Sequence, residues 1–345
     1  MKLATPDGVA CDSRAVVVNT FRATTVVSGA VRVSPLQRGQ SPGGACQTAP
    51  SLVLSLARSA PPGERQAVPV EILVSEEPPV SNLDALPPPL PSYDGSGRAV
   101  GGTKPVRATL GGSSFSNAPL ITPGSWSDSL AVGETVFYKV HLEPGQRLRS
   151  TAVTPASAKR WQAGSDDGGV LTYVSLYSPA RVRLVEQYKV LGVQRRIQVS
   201  AASPEVRVRN AEQPRPAFEN NGRDWSTAST AGDYLVGLQL APSLQTLTGR
   251  VMPVQLNVAV DGRPAGLPEH ASASASPTPA ESASPTSGPT PAASPADGST
   301  TGGRGGRGLV LGLAAAALLL ALGVAVAVAR RSRGRSPGSS RDLPR

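Results

Sequence analysis

Val136-Phe137-Tyr138-Lys139-Val140-His141-Leu142 is the stretch on which the fold turns. Side chains along a strand point to opposite faces with a period of two, so Val136, Tyr138, Val140 and Leu142 fall on one face. Phe137, Lys139 and His141 fall on the other. A face of four apolar residues backed by a mixed face predicts a strand with one side against a core. Pro144-Gly145 follows at once and turns the chain.

Working outward, the same signature recurs. Asp166-Asp167-Gly168-Gly169 reads as a hairpin turn into Val170-Leu171-Thr172-Tyr173-Val174-Ser175-Leu176-Tyr177. Further strands are expected at Val182–Val185, Gln194–Val199, Val206–Val208, Asp233–Leu240 and Val254–Val260. Gly111-Gly112 and Thr122-Pro123-Gly124 mark turns before them. No amphipathic helical period interrupts the series. Residues 105–263 therefore predict an all-β, antiparallel β-sandwich of jelly-roll type. A module of that length buries roughly two-thirds of its unfolded surface and should fold alone.

Residues 1–80 read as a partial β-rich module. Its expected strands are Ala15–Val18, Val26-Val27, Leu52–Leu56 and Val68–Val74, between Gly, Pro and Ser punctuation. Pro69–Val74 matches Pro253–Val258 in pattern, and Val33-Ser34-Pro35 corresponds to Leu176-Tyr177-Ser178-Pro179, which suggests half of a repeated domain or a chance likeness of valine-rich strands. Residues 81–104, with Leu86-Pro87-Pro88-Pro89-Leu90-Pro91, read as an extended Pro/Gly-rich linker. Cys11 and Cys46 fit a single disulfide outside the cytoplasm, or two separate buried thiols.

Beyond the sandwich the composition changes. Residues 264–307 contain HASASASPTPAESASPTSGPTPAASPADGST, which has almost nothing to bury and reads as a disordered stalk. Gly308–Ala329, GLVLGLAAAALLLALGVAVAVA, is 22 residues without a charge, a proline or a polar side chain. As a helix it reaches ~33 Å, enough for a ~30 Å hydrocarbon layer. A span in lipid must satisfy its own backbone, so it is expected to be a transmembrane helix. Gly308 and Gly312 form a small-xxx-small pair suited to helix pairing.

The basic residues set the orientation. Arg330, Arg331, Arg333 and Arg335 follow the span within a tail of residues 330–345, whereas Arg304 and Arg307 alone stand close before it. The heavier cluster is expected in the cytoplasm and the N-terminal part outside. Much of the net charge of +10 sits in this tail and at those two arginines. No nucleic-acid patch is then indicated, and the tail would lie against anionic lipid. Because Met1–Cys11 lacks an apolar h-region, the outward reading also expects an export signal missing from the start. A tail-anchored cytosolic protein is the competing topology. The preponderance of arginine, 29 of the 34 basic residues, suggests a GC-rich genome such as an actinobacterium's.

Chemistry finds little to work with. His141 and His270 are the two histidines, both expected to be exposed and uninvolved. HExxH, GxSxG and P-loop patterns do not occur. Gly303-Arg304-Gly305-Gly306-Arg307-Gly308 matches GxGxxG in letters but follows a stalk instead of a strand. Ser165-Asp166-Asp167 falls short of a calcium loop. No catalytic, cofactor or metal residues are expected.

Several segments together resemble the bacterial pre-peptidase C-terminal domain. These are Ser116-Asn117-Ala118-Pro119-Leu120, Gly124, Gly133-Glu134-Thr135-Val136-Phe137-Tyr138-Lys139-Val140, Pro144-Gly145-Gln146-Arg147-Leu148, Leu171–Pro179 and Ala231-Gly232-Asp233-Tyr234-Leu235-Val236. The resemblance covers about residues 112–240, with insertions around 194–223. It implies a non-catalytic jelly-roll-like sandwich, often an appendage of secreted hydrolases. With a stalk, a span and an Arg tail, the chain is also similar to actinobacterial surface proteins. The expected function is a non-enzymatic cell-surface display of binding or structural modules, with a cell-wall polymer or envelope protein as partner. The alternative is an accessory fragment of a secreted hydrolase whose catalytic domain lies upstream of Met1.

Overall fold

The computed structural model describes residues 1–16, 26–34, 44–59, 67–154, 170–190, 196–213, 224–242, 249 and 251–270. The chain divides into two compact units, Met1–Ser276 and Pro277–Arg345. The expected span, its glycines and the arginine tail lie in the second, outside the described residues.

The first unit holds a two-sheet sandwich and a small third sheet. Its strands are β1 (Lys2–Ala4), β2 (Ala10–Ser13), β3 (Val53–Ser55), β4 (Arg107–Ala108), β5 (Gly124–Ala131), β6 (Thr135–Leu142) and β7 (Arg147–Thr154). They continue with β8 (Val170–Tyr177), β9 (Arg183–Val190), β10 (Ile197–Ala202), β11 (Gly232–Pro242) and β12 (Val251–Asp261). One sandwich sheet runs β10-β7-β12-β5-β4 and the other β6-β11-β8-β9, antiparallel except for the β4–β5 pair. From β5 onward, β8 and β9 are the consecutive strands that share a sheet. Every other step crosses to the facing sheet, which is why tight turns such as Pro144-Gly145 are needed. Gly145 has φ +82°, the left-handed value that a turn with proline before it demands.

Alternation explains the core. Val136, Tyr138, Val140 and Leu142 of β6 face inward and meet Tyr234, Val236, Leu238 and Leu240 of β11. From the opposite sheet come Leu148 and Ala152 of β7 and Met252, Val254, Leu256 and Val258 of β12. Most of these side chains are sealed from water. Tyr138 is accommodated because its hydroxyl donates to Asp128 Oδ2 at 2.7 Å. Burial raises its pKa, and the Asp128 hydrogen bond raises it further.

Several expectations need correction. Two sandwich strands, β5 and β7, carry too many serines, threonines and charges to show an apolar period. Val206–Val208 forms no strand; a short 3-10 turn, Val208–Glu212, begins there. Gly111-Gly112 is less a turn than a close approach. A Cβ on Gly112 would stand 2.5 Å from Asn117 O, and its backbone exchanges both hydrogen bonds with Phe137. The turn at Asp166–Gly169 lies outside the described residues.

The N-terminal segment departs furthest from its reading. Its sheet is β2-β1-β3, with the one-turn helix α1 (Ala45–Thr48) joined to β2 through a Cys11–Cys46 disulfide. Of Ala15–Val18, Ala15 and Val16 are not in a strand, and neither are Val26 and Val27. Val68–Val74 also lies outside any sheet, with Val70, Ile72 and Val74 more than half exposed. Its pattern partner Pro253–Val258 is an interior strand of the sandwich, so the two halves of the suggested repeat do different structural work. Polar contacts help to hold the segment. Arg14 forms a buried ion pair with Asp224, Nη2 to Oδ2 2.7 Å. Arg32 donates to the carbonyls of Ser226 and Ala211.

The proline-rich stretch is also pinned. Leu90 N donates to Asn210 Oδ1, Val100 N to Thr151 Oγ1 and Thr103 N to Ser125 Oγ. Asn257 in turn donates to Val100 O. Residues 96–103 thus form a strap over the outer face of the five-stranded sheet, where Ser125, Thr151 and Asn257 supply donors and acceptors. At the other end, Ala265 N bonds Pro144 O and His270 bridges Val80, so the first residues of the expected stalk still pack on the folded unit.

Candidate binding faces of the sandwich

The outward residues of β6 build the first face. In register with β11, Phe137 stands opposite Gly237, Lys139 opposite Leu235 and His141 opposite Asp233. Gly237 has no side chain, and a Cβ there would come within 3.2 Å of Phe137 and 3.1 Å of Tyr177. The space admits an aromatic cluster: Phe115 lies 4.6 Å from Phe137 and 5.1 Å from Tyr177, centroid to centroid. Ala118 and Leu235 complete it, with Val26 packed against it.

Beside this cluster opens a shallow cavity of about 370 Å³. Its apolar wall is Phe115, Leu235, Pro179 and Leu73, and its polar wall is Lys139, His141, Arg181 and Asp233. The strand register places His141 Nδ1 3.0 Å from Asp233 Oδ1, while Nε2 lies 3.2 Å from Glu143 Oε1. The bond to Asp233 raises the imidazole's pKa, partial burial opposes this, and Glu143 adds to the rise. His141 is exposed as expected, yet it is held by two carboxylates, which cross-strand pairing creates and linear sequence does not reveal.

Arg181 closes the rim. It sits at the end of the β8–β9 turn with φ +60°, a region that costs a non-glycine residue roughly 1–2 kcal/mol. Its Nη1 meets Glu71 Oε1 at 2.7 Å and its guanidinium lies over the Phe115 ring. Glu71 also accepts from the Ser116 hydroxyl, the main cause of its lowered pKa. Through this carboxylate the otherwise unpaired 67–74 segment is tied to the rim.

The second face lies where the strap crosses the ends of β7 and β12. A cleft of about 230 Å³ is lined by Ser96, Arg98, Arg147, Arg149 and Asp261 among others. Arg149 grips Asp261 bidentately, Nε to Oδ2 at 2.6 Å and Nη2 to Oδ1 at 2.8 Å, and Nη1 reaches Arg98 O at 3.2 Å. Arg147 Nε reaches Asp261 Oδ2 at 3.3 Å. Hydrogen bonding from Arg149 holds the Asp261 carboxyl below its ordinary range.

Among the described residues no three His, Cys, Asp or Glu side chains gather as a metal site would require. None of the helices among them is long and apolar enough to cross a membrane. Gly308, Gly312, Arg330, Arg331, Arg333 and Arg335 lie outside the described residues, as do Asp166 and Asp167. Neither the rim arginine nor the strap cleft was legible as a motif, since each is assembled from residues far apart in sequence.

No family model matches this chain, and no curated protein matches it. Among solved structures it is similar to the pre-peptidase C-terminal domain of a collagenase from Bacillus anthracis, at 12% identity and a TM-score of 0.23. That likeness covers 46% of this chain and 99% of the other. It is also similar to PliG, a periplasmic inhibitor of g-type lysozyme from Aeromonas hydrophila, at 14% identity and a TM-score of 0.21, covering 45% of this chain and 98% of the other.

Proposed function

We propose that this chain is a non-catalytic cell-surface protein that presents a β-sandwich binding module on a membrane-anchored stalk. The observation that carries this reading is the uncharged run Gly308–Ala329, followed at once by Arg330, Arg331, Arg333 and Arg335. The sandwich N-terminal to it would face outward, lifted by the Ser/Pro-rich stalk, with a cell-wall polymer or envelope protein as its partner. The segments within residues 112–240 that resemble pre-peptidase C-terminal domains support an accessory role over a catalytic one. The cavity around Phe115, Lys139 and Arg181 supports binding, because it combines an aromatic wall with fixed charges.

Topology is the decisive test. Protease added to intact cells should remove epitopes within residues 1–270, and a phosphatase reporter fused after Arg345 should be inactive. Full protection of the sandwich from external protease, with an active reporter, would overturn the proposal.

A further inference from the structure

The strap cleft has a chemistry that the fold does not use up. Three arginines, Arg98, Arg147 and Arg149, line it together with a single carboxylate, Asp261. Arg149 is spent internally: Nε and Nη2 hold Asp261, and Nη1 holds the Arg98 carbonyl. That lock fixes the position of its neighbours. Arg147 touches Asp261 through Nε, and its two terminal nitrogens make no hydrogen bond among the described residues. No carboxylate among the described residues pairs with Arg98. Just before the strap, Asp94 accepts from Ser96 N at 2.9 Å and from the Ser96 hydroxyl at 2.7 Å. Counting Asp94, the cleft still carries more positive than negative charge.

We infer that this cleft is an oxyanion site that takes a phosphate group, with Arg147 and Arg98 as its ligands and the Arg149–Asp261 pair as their scaffold. Guanidinium forks match tetrahedral oxyanions, and donors preorganised by a rigid neighbour bind with less ordering cost. Phosphate fits better than carboxylate because its several oxygens accept from two arginines at once. The volume admits the group together with a small substituent such as glycerol. The inference concerns the folded unit alone and does not depend on membrane anchoring.

The test is calorimetric titration of the full chain in neutral detergent with glycerol 3-phosphate, using sodium acetate as the competing oxyanion and micelles doped with phosphatidylglycerol as the lipid source. Saturable binding of glycerol 3-phosphate, tighter than acetate, is expected, weakening as sodium chloride rises. Arg147→Ala should weaken it about tenfold, and Arg98→Ala/Arg147→Ala should abolish it. Both side chains are solvent-facing, so the variants should keep the parent melting temperature. A conservative Arg147→Lys variant, which keeps charge but loses the fork, should fall between. Equal heats for parent and double variant would overturn the inference. So would binding to doped micelles with none to the soluble probe.

Discussion

Breaking the Arg14–Asp224 pair should unfold more than its size suggests. The two side chains are 3% and 1% exposed and meet at 2.7 Å, so neither charge has water to fall back on. Removing one partner takes from the other its buried ion pair, and breaking such a pair costs about 3–5 kcal/mol. Asp224 also accepts from the Ser226 hydroxyl, and Arg14 O accepts from the Met1 ammonium, so each residue anchors a second contact. Asp224→Asn and Arg14→Met are each expected to lose about 3 kcal/mol or more, and the double variant less than their sum. Urea unfolding followed by tryptophan fluorescence reads this well, because Trp225 adjoins Asp224 and packs edge-on against Tyr93. If the N-terminal segment folds as one with the sandwich, the midpoint shifts while the slope stays constant. Losses under 1 kcal/mol in both single variants, or a reduced slope, would refute the claim that this buried pair joins the segment to the sandwich cooperatively.

Other outcomes follow from the same geometry. Leu130→Ala empties a fully buried site and should cost about 2–5 kcal/mol in denaturant unfolding. Gly112→Ala drives a Cβ into backbone at Asn117 and Ala118, so a loss of about 1–3 kcal/mol is expected, whereas Gly101→Ala, open on all sides, should change little. Reducing Cys11–Cys46, which closes a separation of 35 residues, should lower stability by about 3–4 kcal/mol, checked by melting with and without reductant. His141 has a raised folded pKa, so its contribution is full below its ordinary value of 6.5 and fades as pH rises through the folded value. Because the ring is over half exposed, the effect should stay below about 1 kcal/mol. The stability difference between the parent protein and His141→Gln should vanish at alkaline pH.

How much of this was legible in the sequence depended on which force placed each residue. Strands β6, β8, β11 and β12 are stitched by hydrophobic alternation, and alternation can be read from a line of letters: Val136, Tyr138, Val140 and Leu142 declare their face unaided. Strand β7 was hidden because its outward positions, Arg149 and Thr151, are polar for a reason that lies elsewhere in the chain. Thr151 accepts from the strap at Val100, and Arg149 builds the cleft with Arg98. The converse error occurred at Val68–Val74, where strong β-propensity met no strand edge to pair with. Propensity describes what a segment would do if given a partner, and here Glu71 found Arg181 and Ser116 instead. The binding faces follow the same logic. His141 acquires Asp233 through cross-strand register, and Arg147 acquires Arg98 through a strap 49 residues earlier, so both depend on long-range pairing. Polar strand positions that look like weak sandwich sequence are therefore where the sandwich is wrapped, and the arginine cleft opens beside that wrap, at the ends of two interior strands, β7 and β12.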